Sequence, residues 1–134
     1  MRTLECLNAP GLAAPAGHYS HAVVHGGIAY LAGQLPHAPG QPDRKPGTIE
    51  EQTRQVLSNI DRVLQACGSR RDRVLRCTVY VSDIAHWPAV NKVYAEFFGE
   101  HRPARAVVPV GELHHGYAIE VEVTAAADVT EATD

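Results

Sequence analysis

The chain has 134 residues, 45% of them hydrophobic and 20% charged, with a formal net charge of -3. That balance suits one globular domain and excludes a disordered chain; a chain of this size buries roughly two-thirds of its unfolded surface and needs no disulfide staples. The basic residues are scattered, and the densest run, Arg70-Arg71-Asp72-Arg73, is interrupted by an acid, which argues against a nucleic-acid surface.

Residues 1–17 combine Pro10, Gly11, Pro15 and Gly17 with alanines and read as an irregular lead-in, with no apolar stretch of the signal-peptide kind. No apolar run approaches the ~18 residues of a membrane span, so the expectation is a cytoplasmic protein with no membrane partner. Ala22–His25 and Ile28–Ala32 are strand-like runs around Gly26-Gly27, a tight hairpin signal. A Pro- and Gly-rich loop follows from Pro36 to Gly47. Thr48-Ile49-Glu50-Glu51 has the form of a capping box, and Val56, Ile60, Val63, Leu64 and Cys67 then recur at helical spacing up to the Gly68 stop.

Val74–Val81 reads as a strand, with Leu75, Cys77, Val79 and Val81 on one face and Arg76, Thr78 and Tyr80 on the other. A second helix starts near His86, takes Pro88 in its first turn and buries Val90, Tyr94, Phe97 and Phe98 before Gly99. Arg105–Val110 is a short strand with Arg105, Val107 and Pro109 on one face. Tyr117–Ala125 alternates, with Tyr117, Ile119, Val121, Val123 and Ala125 toward the helices; residues 126–134 read as a frayed tail. The expected architecture is α+β: β-β-α-β-α-β-β, a single sheet with two helices on one face. The other face is expected to carry Arg105, Glu120, Glu122, Thr78 and Val107, too apolar for solvent and too charged for a core, which suits a subunit interface.

Three cysteines without C-x-x-C spacing (Cys6, Cys67, Cys77) read as reduced thiols. Eight histidines lack metal-ligand spacing, and the adjacent His114-His115 would point apart on a strand, so neither a metal nor a cofactor is expected. Arg105 offers a planar two-donor fork for a carboxylate. Glu120 and Glu122 alternate out of the last strand, and either can position water or move a proton.

Six segments together resemble a known family. They are Gly17-His18-Tyr19-Ser20-His21-Ala22-Val23; Ala32-Gly33-Gln34-Leu35-Pro36; Gln52-Thr53 with Asn59; Val90-Asn91 with Tyr94 and Phe97-Phe98; Pro103-Ala104-Arg105; and Ile119-Glu120-Val121-Glu122. Their order and spacing resemble the Rid family, the YjgF-like reactive intermediate deaminases, over a core of about residues 8–127 within one domain of 1–134. The resemblance implies a chorismate-mutase-like fold and a homotrimer with sites in the clefts between subunits. It implies hydrolysis of 2-imino acids, formed from their enamines, to keto acids and ammonia. It also implies roles: Arg105 for the substrate carboxylate, Glu120 for the attacking water, and Tyr19, Gly33 and Asn91 around them. His18, Ala32 and Val107 depart from the usual proline, serine and small polar residue. Ala32 and Val107 make the expected substrate-binding site more apolar and point to a bulkier or more apolar imine. The alternatives are a non-catalytic trimeric module that binds an amino-acid-like carboxylate or a protein, and a ribonuclease, which the acidic balance disfavours.

Overall fold

The computed structural model describes residues 3–127. Its strands are β1 (Glu5–Leu7), β2 (Ala22–His25), β3 (Ile28–Leu31), β4 (Val74–Val81), β5 (Ala104–Pro109) and β6 (Ile119–Ala126), with helices α1 (Ile49–Ala66) and α2 (Trp87–Phe98). They form one six-stranded sheet in the order β1-β2-β3-β6-β4-β5. All neighbours are antiparallel except β4 and β5. The parallel pair is joined through α2, the usual requirement for a crossover. Both helices cover the same face of the sheet.

The expected local signals are in place. Gly26 and Gly27 take φ of 61° and 80°, the left-handed values that a two-residue hairpin demands and that glycine accepts without a Cβ clash. Thr48 Oγ1 accepts from Glu51 N–H at 3.1 Å while Glu51 Oε1 accepts from Thr48 N–H, so the capping box is complete. Val56, Leu57, Ile60, Val63 and Leu64 of α1 pack with Val90, Val93, Tyr94 and Phe98 of α2 onto Cys77, Val79, Val81, Ile119, Val121 and Val123 of the sheet.

Four expectations need correction. The lead-in contains the edge strand β1, paired with β2 through Cys6 and Val23. It is pinned by the buried His21, whose Nδ1 accepts from Ala9 N–H and whose Nε2 lies 3.0 Å from the Ala13 carbonyl. In β4 a register irregularity between Val74 and Arg76 turns Leu75 outward, 47% exposed, and buries Val74 instead. The last strand runs through Ala126, and Ala127 is buried; the remainder of the expected tail, 128–134, lies outside the described residues.

The fourth correction concerns the site. Arg105 and Val107 do not share a face with Glu120, Glu122 and Thr78. In the parallel β4–β5 register Arg105 pairs with Cys77 and Val107 with Val79, both core residues. Glu122 and Glu120 pair with Thr78 and Tyr80 on the opposite, uncovered face. Ala106, Val107 and Val108 are apolar at both parities, so β5 has no two-residue rhythm of its own. Only its pairing with β4 decides which way Arg105 points.

Candidate functional site

β5 is the outermost strand of the sheet, so Arg105 lies on the helix side but at its rim and stays half-buried. Its guanidinium is fixed from α2: Nη1 donates to Asn91 Oδ1 at 2.9 Å, and Cζ stands 4.7 Å from the centre of the Tyr94 ring. The Tyr94 ring gives the cation an apolar seat with a negative face, an arrangement that orients without neutralising. The Tyr94 hydroxyl is buried against the Cys77 thiol and, among the described residues, makes no well-formed hydrogen bond. Burial pushes the Cys77 thiol up to about 11, partly offset by Tyr94 and by the Arg105 charge, so Cys77 is a core thiol and not a nucleophile. Cys67 is likewise pushed up to about 11 by burial. Val107 packs against the core beside this group.

On the uncovered face a second group forms around Glu120. Gly33 follows β3 and is locked to β6 by the reciprocal bonds Gln34 N–H to Val121 O (2.8 Å) and Val121 N–H to Gln34 O (3.0 Å). A Cβ on Gly33 would collide with the Glu120 carboxylate oxygen and stand 3.1 Å from its Cδ. Any larger residue at 33 would force the Glu120 carboxylate to move, and the vacant volume is where the carboxylate sits. Burial raises the Glu120 pKa above the usual carboxylate range, Glu122 adds to this, and His114 opposes it. Glu122 is different: it is exposed and accepts from Tyr80 Oη at 2.7 Å. Among the described residues the Glu120 side chain has no hydrogen-bond partner. The structure thus separates two acids that the sequence left equivalent.

Tyr19, 51% exposed, and Gly33 line a cavity of about 720 Å3. Its walls come from residues 13–16, from the 37–46 loop and from the His114–Gly116 turn. His114 and His115 are on that turn, and their rings lie 6.1 Å apart. Two buried polar residues brace the loops. Asn59 Nδ2 donates to the carbonyls of Leu35 and His37, and Gln52 links the Gly47 carbonyl to the Ala118 amide. Ala32 contributes its amide to the His21 carbonyl.

The structure therefore gathers Arg105, Asn91 and Val107 in one place and Tyr19, Gly33 and Glu120 in another, with Ala32 beside Gly33. Tyr94 is the residue that sequence reasoning missed: its helical spacing marked it as core, and nothing local showed that its ring would also carry the arginine. Among the described residues no group of three or more His, Cys, Asp or Glu side chains is arranged to hold a metal ion, and no helix is long and apolar enough to cross a membrane.

Residues 8–127 match the family described as Endoribonuclease L-PSP. The 2-iminobutanoate/2-iminopropanoate deaminase of Capra hircus is 36% identical over 124 residues, 92% of this chain and 88% of that protein. The crystal structure of YyfA from Yersinia pestis, described as a protein of unknown function of the conserved Rid family, superimposes with a TM-score of 0.89 at 36% identity, covering 93% of this chain and all of that one. Escherichia coli TdcF, solved with bound serine, gives a TM-score of 0.85 at 27% identity over 92% of this chain and 99% of its own. With this fold, these matches and the six sequence segments in order, the chain belongs to the Rid (YjgF-like) family.

Proposed function

We propose that the protein hydrolyses 2-imino acids to 2-keto acids and ammonia. The observation that carries the reading is Glu120, an unpartnered carboxylate of raised pKa held in the space left by Gly33. The name of the goat relative and the serine in TdcF support an amino-acid-like carboxylate as the ligand class.

The Arg105 fork takes the substrate carboxylate in two parallel hydrogen bonds and fixes its rotation. Glu120 accepts a proton from water as the oxygen adds to the imine carbon and passes it to the imine nitrogen, giving a neutral carbinolamine. It then carries the carbinolamine's hydroxyl proton to that nitrogen; the C–N bond breaks as the carbonyl forms, and ammonia leaves. Apart from water, the step uses no group beyond these side chains.

Arg105 and Glu120 stand on opposite faces of one sheet, so the site is completed between copies in a homotrimer. Arg105 comes from one subunit, and Glu120, Gly33 and Tyr19 come from its neighbour. A head-to-tail ring repeats such a heterologous contact and closes it.

The test is an assay with imines generated in situ by an amino-acid oxidase, on Arg105→Ala, on Glu120→Gln and on the two mixed after joint refolding. Each variant alone loses about tenfold to a hundredfold or more of the parent's activity. The mixture recovers about a quarter of the parent's sites, because one contact in four joins an intact Arg105 to an intact Glu120. Fully active single variants would refute the assignment, and a mixture no more active than the single variants would refute the shared site. The ribonuclease reading has the description of the matched family behind it but no basic surface among the described residues to hold a nucleic acid. Arg70 pairs with Asp72 at 2.7 Å and Arg71 with Asp61 at 3.2 Å, so the densest basic run is engaged within the chain.

A further inference from the structure

The cavity beside Gly33 is far larger than a two- or three-carbon imino acid needs. Its lining includes three rings that the mechanism above does not use. His37 and Tyr117 meet edge to face, 5.2 Å between centroids at 89°, and His37 and His115 meet at 5.3 Å and 67°. Tyr117 Oη lies 3.4 Å from His37 Nδ1, and Tyr117 is buried where His37 and His115 are open. This leaves ring edges and faces presented to the cavity and not packed away. His115 holds φ of 61°, the only non-glycine among the described residues in the left-handed region. Its backbone is thus set at a strained value that places the ring beside His37. Partial desolvation, together with the nearby His115, lowers the His37 pKa and so disfavours the charged ring.

The cavity abuts the proposed reaction site: Gly33 lines it, and the Glu120 carboxylate lies where a Gly33 side chain would be. A substrate whose imine carbon sits at Glu120 would direct its side chain past Gly33 toward these rings. Aromatic groups stack offset or edge to face at centroid separations of about 4.5–7 Å, the spacing this cluster already shows internally. We infer that His37, His115 and Tyr117 form a side-chain subsite that selects 2-imino acids with an aromatic side chain. The inference rests on the hydrolytic reading for the chemistry, and on the cavity for the selectivity. Arg44, which also lines the cavity, defines the competing ligand, an imino acid with a second carboxylate.

The experiment compares imines generated in situ from phenylalanine, leucine, alanine and aspartate, in the parent, His37→Ala and His115→Gly. The parent is expected to show kcat/KM at least tenfold higher for the phenylalanine imine than for the alanine imine. Each variant should reduce that ratio about threefold to tenfold through KM. His115→Gly should do so while raising Tm, since glycine accepts the left-handed backbone; this separates loss of the ring from damage to the fold. Leucine- or aspartate-derived imines turned over better than the phenylalanine imine would overturn the inference, as would a ratio that neither variant moves. Binding of the 2-keto acids of phenylalanine and alanine, followed on the histidine ring protons by NMR, gives a readout free of turnover. Tighter binding of the aromatic keto acid, with shifts at His37 and His115 and no hydrolysis of any imine, would sustain the subsite and refute the hydrolytic reading. Turnover of the alanine imine with no binding of the aromatic keto acid would do the reverse.

Discussion

The surroundings of Arg105 and Glu120 are built on opposite plans. Arg105 is held by what touches it, its hydrogen bond to Asn91 Oδ1 and the face of Tyr94. Glu120 is held by what is missing, the side chain that Gly33 does not have. The first arrangement spends contacts on aiming a permanent charge. The second leaves a carboxylate poorly solvated and unpaired, which raises its pKa and keeps it available for a proton. On the proposed reading one is a positioned anchor and the other a reactive acid, and substitutions in the two places should fail in different ways.

The sharpest break is Arg105→Lys. Lysine keeps the charge but loses the planar fork and the match to both Asn91 and the Tyr94 ring. Catalytic efficiency should fall nearly as far as in Arg105→Ala, about tenfold to a hundredfold or more, from the loss of a charge-assisted bidentate contact of roughly 1.5–3 kcal/mol. Near-parent activity for the lysine variant would reduce Arg105 to a diffuse charge.

Gly33→Ala attacks the other plan. The added methyl must displace the Glu120 carboxylate, and a misplacement of that order costs on the order of a hundredfold in rate. The backbone at Gly33 is not in the left-handed region, so most of the effect should appear in kcat with Arg105-dependent binding retained. Unchanged kcat would show that Glu120 does not act from this position.

Glu120→Gln distinguishes function from stability. An acid whose folded pKa lies above its unfolded value binds its proton more tightly when folded. The stability it lends below the unfolded pKa is lost as pH rises through the folded pKa. The parent's kcat should therefore fall as pH drops through the raised Glu120 pKa. The Tm of Glu120→Gln should exceed the parent's only above that window. A Tm advantage that persisted or grew in acid would contradict the direction of the shift.

The smallest effect is expected at Tyr94. Tyr94→Leu removes the seat of the guanidinium, and a cation–π contact of about 0.5–2 kcal/mol corresponds to roughly a twofold to thirtyfold loss of efficiency. Tyr94→Phe keeps the ring and deletes a hydroxyl with no well-formed hydrogen bond, so activity should hold and Tm should not fall. Equal losses in the two variants would mean that the hydroxyl, not the ring, matters.

Much of the architecture was legible because its signals are local. The capping box at Thr48, the hairpin at Gly26-Gly27 and the alternation of β6 each follow from backbone sterics or from burial of one face. β1 was not legible, since three residues carry too little pattern, and its pairing depends on the distant His21 anchoring the lead-in. Leu75 was misassigned because a bulge shifts the alternation by one, and nothing in Val74-Leu75-Arg76 announces it.

The residue types of the site, and their places in the chain, were set by the sequence itself: a fork at 105, an acid at 120, a glycine at 33. What the tertiary structure decided was which groups meet. The β4–β5 register sends Arg105 to the helix side, where Asn91 and Tyr94 wait. The β4–β6 register sets Tyr80 opposite Glu120, but the Tyr80 hydroxyl reaches diagonally to Glu122 and so leaves Glu120 as the acid without a hydrogen-bond partner among the described residues. Strand parity is a local property, but the face to which a parity belongs is fixed only by pairing with strands far away in sequence.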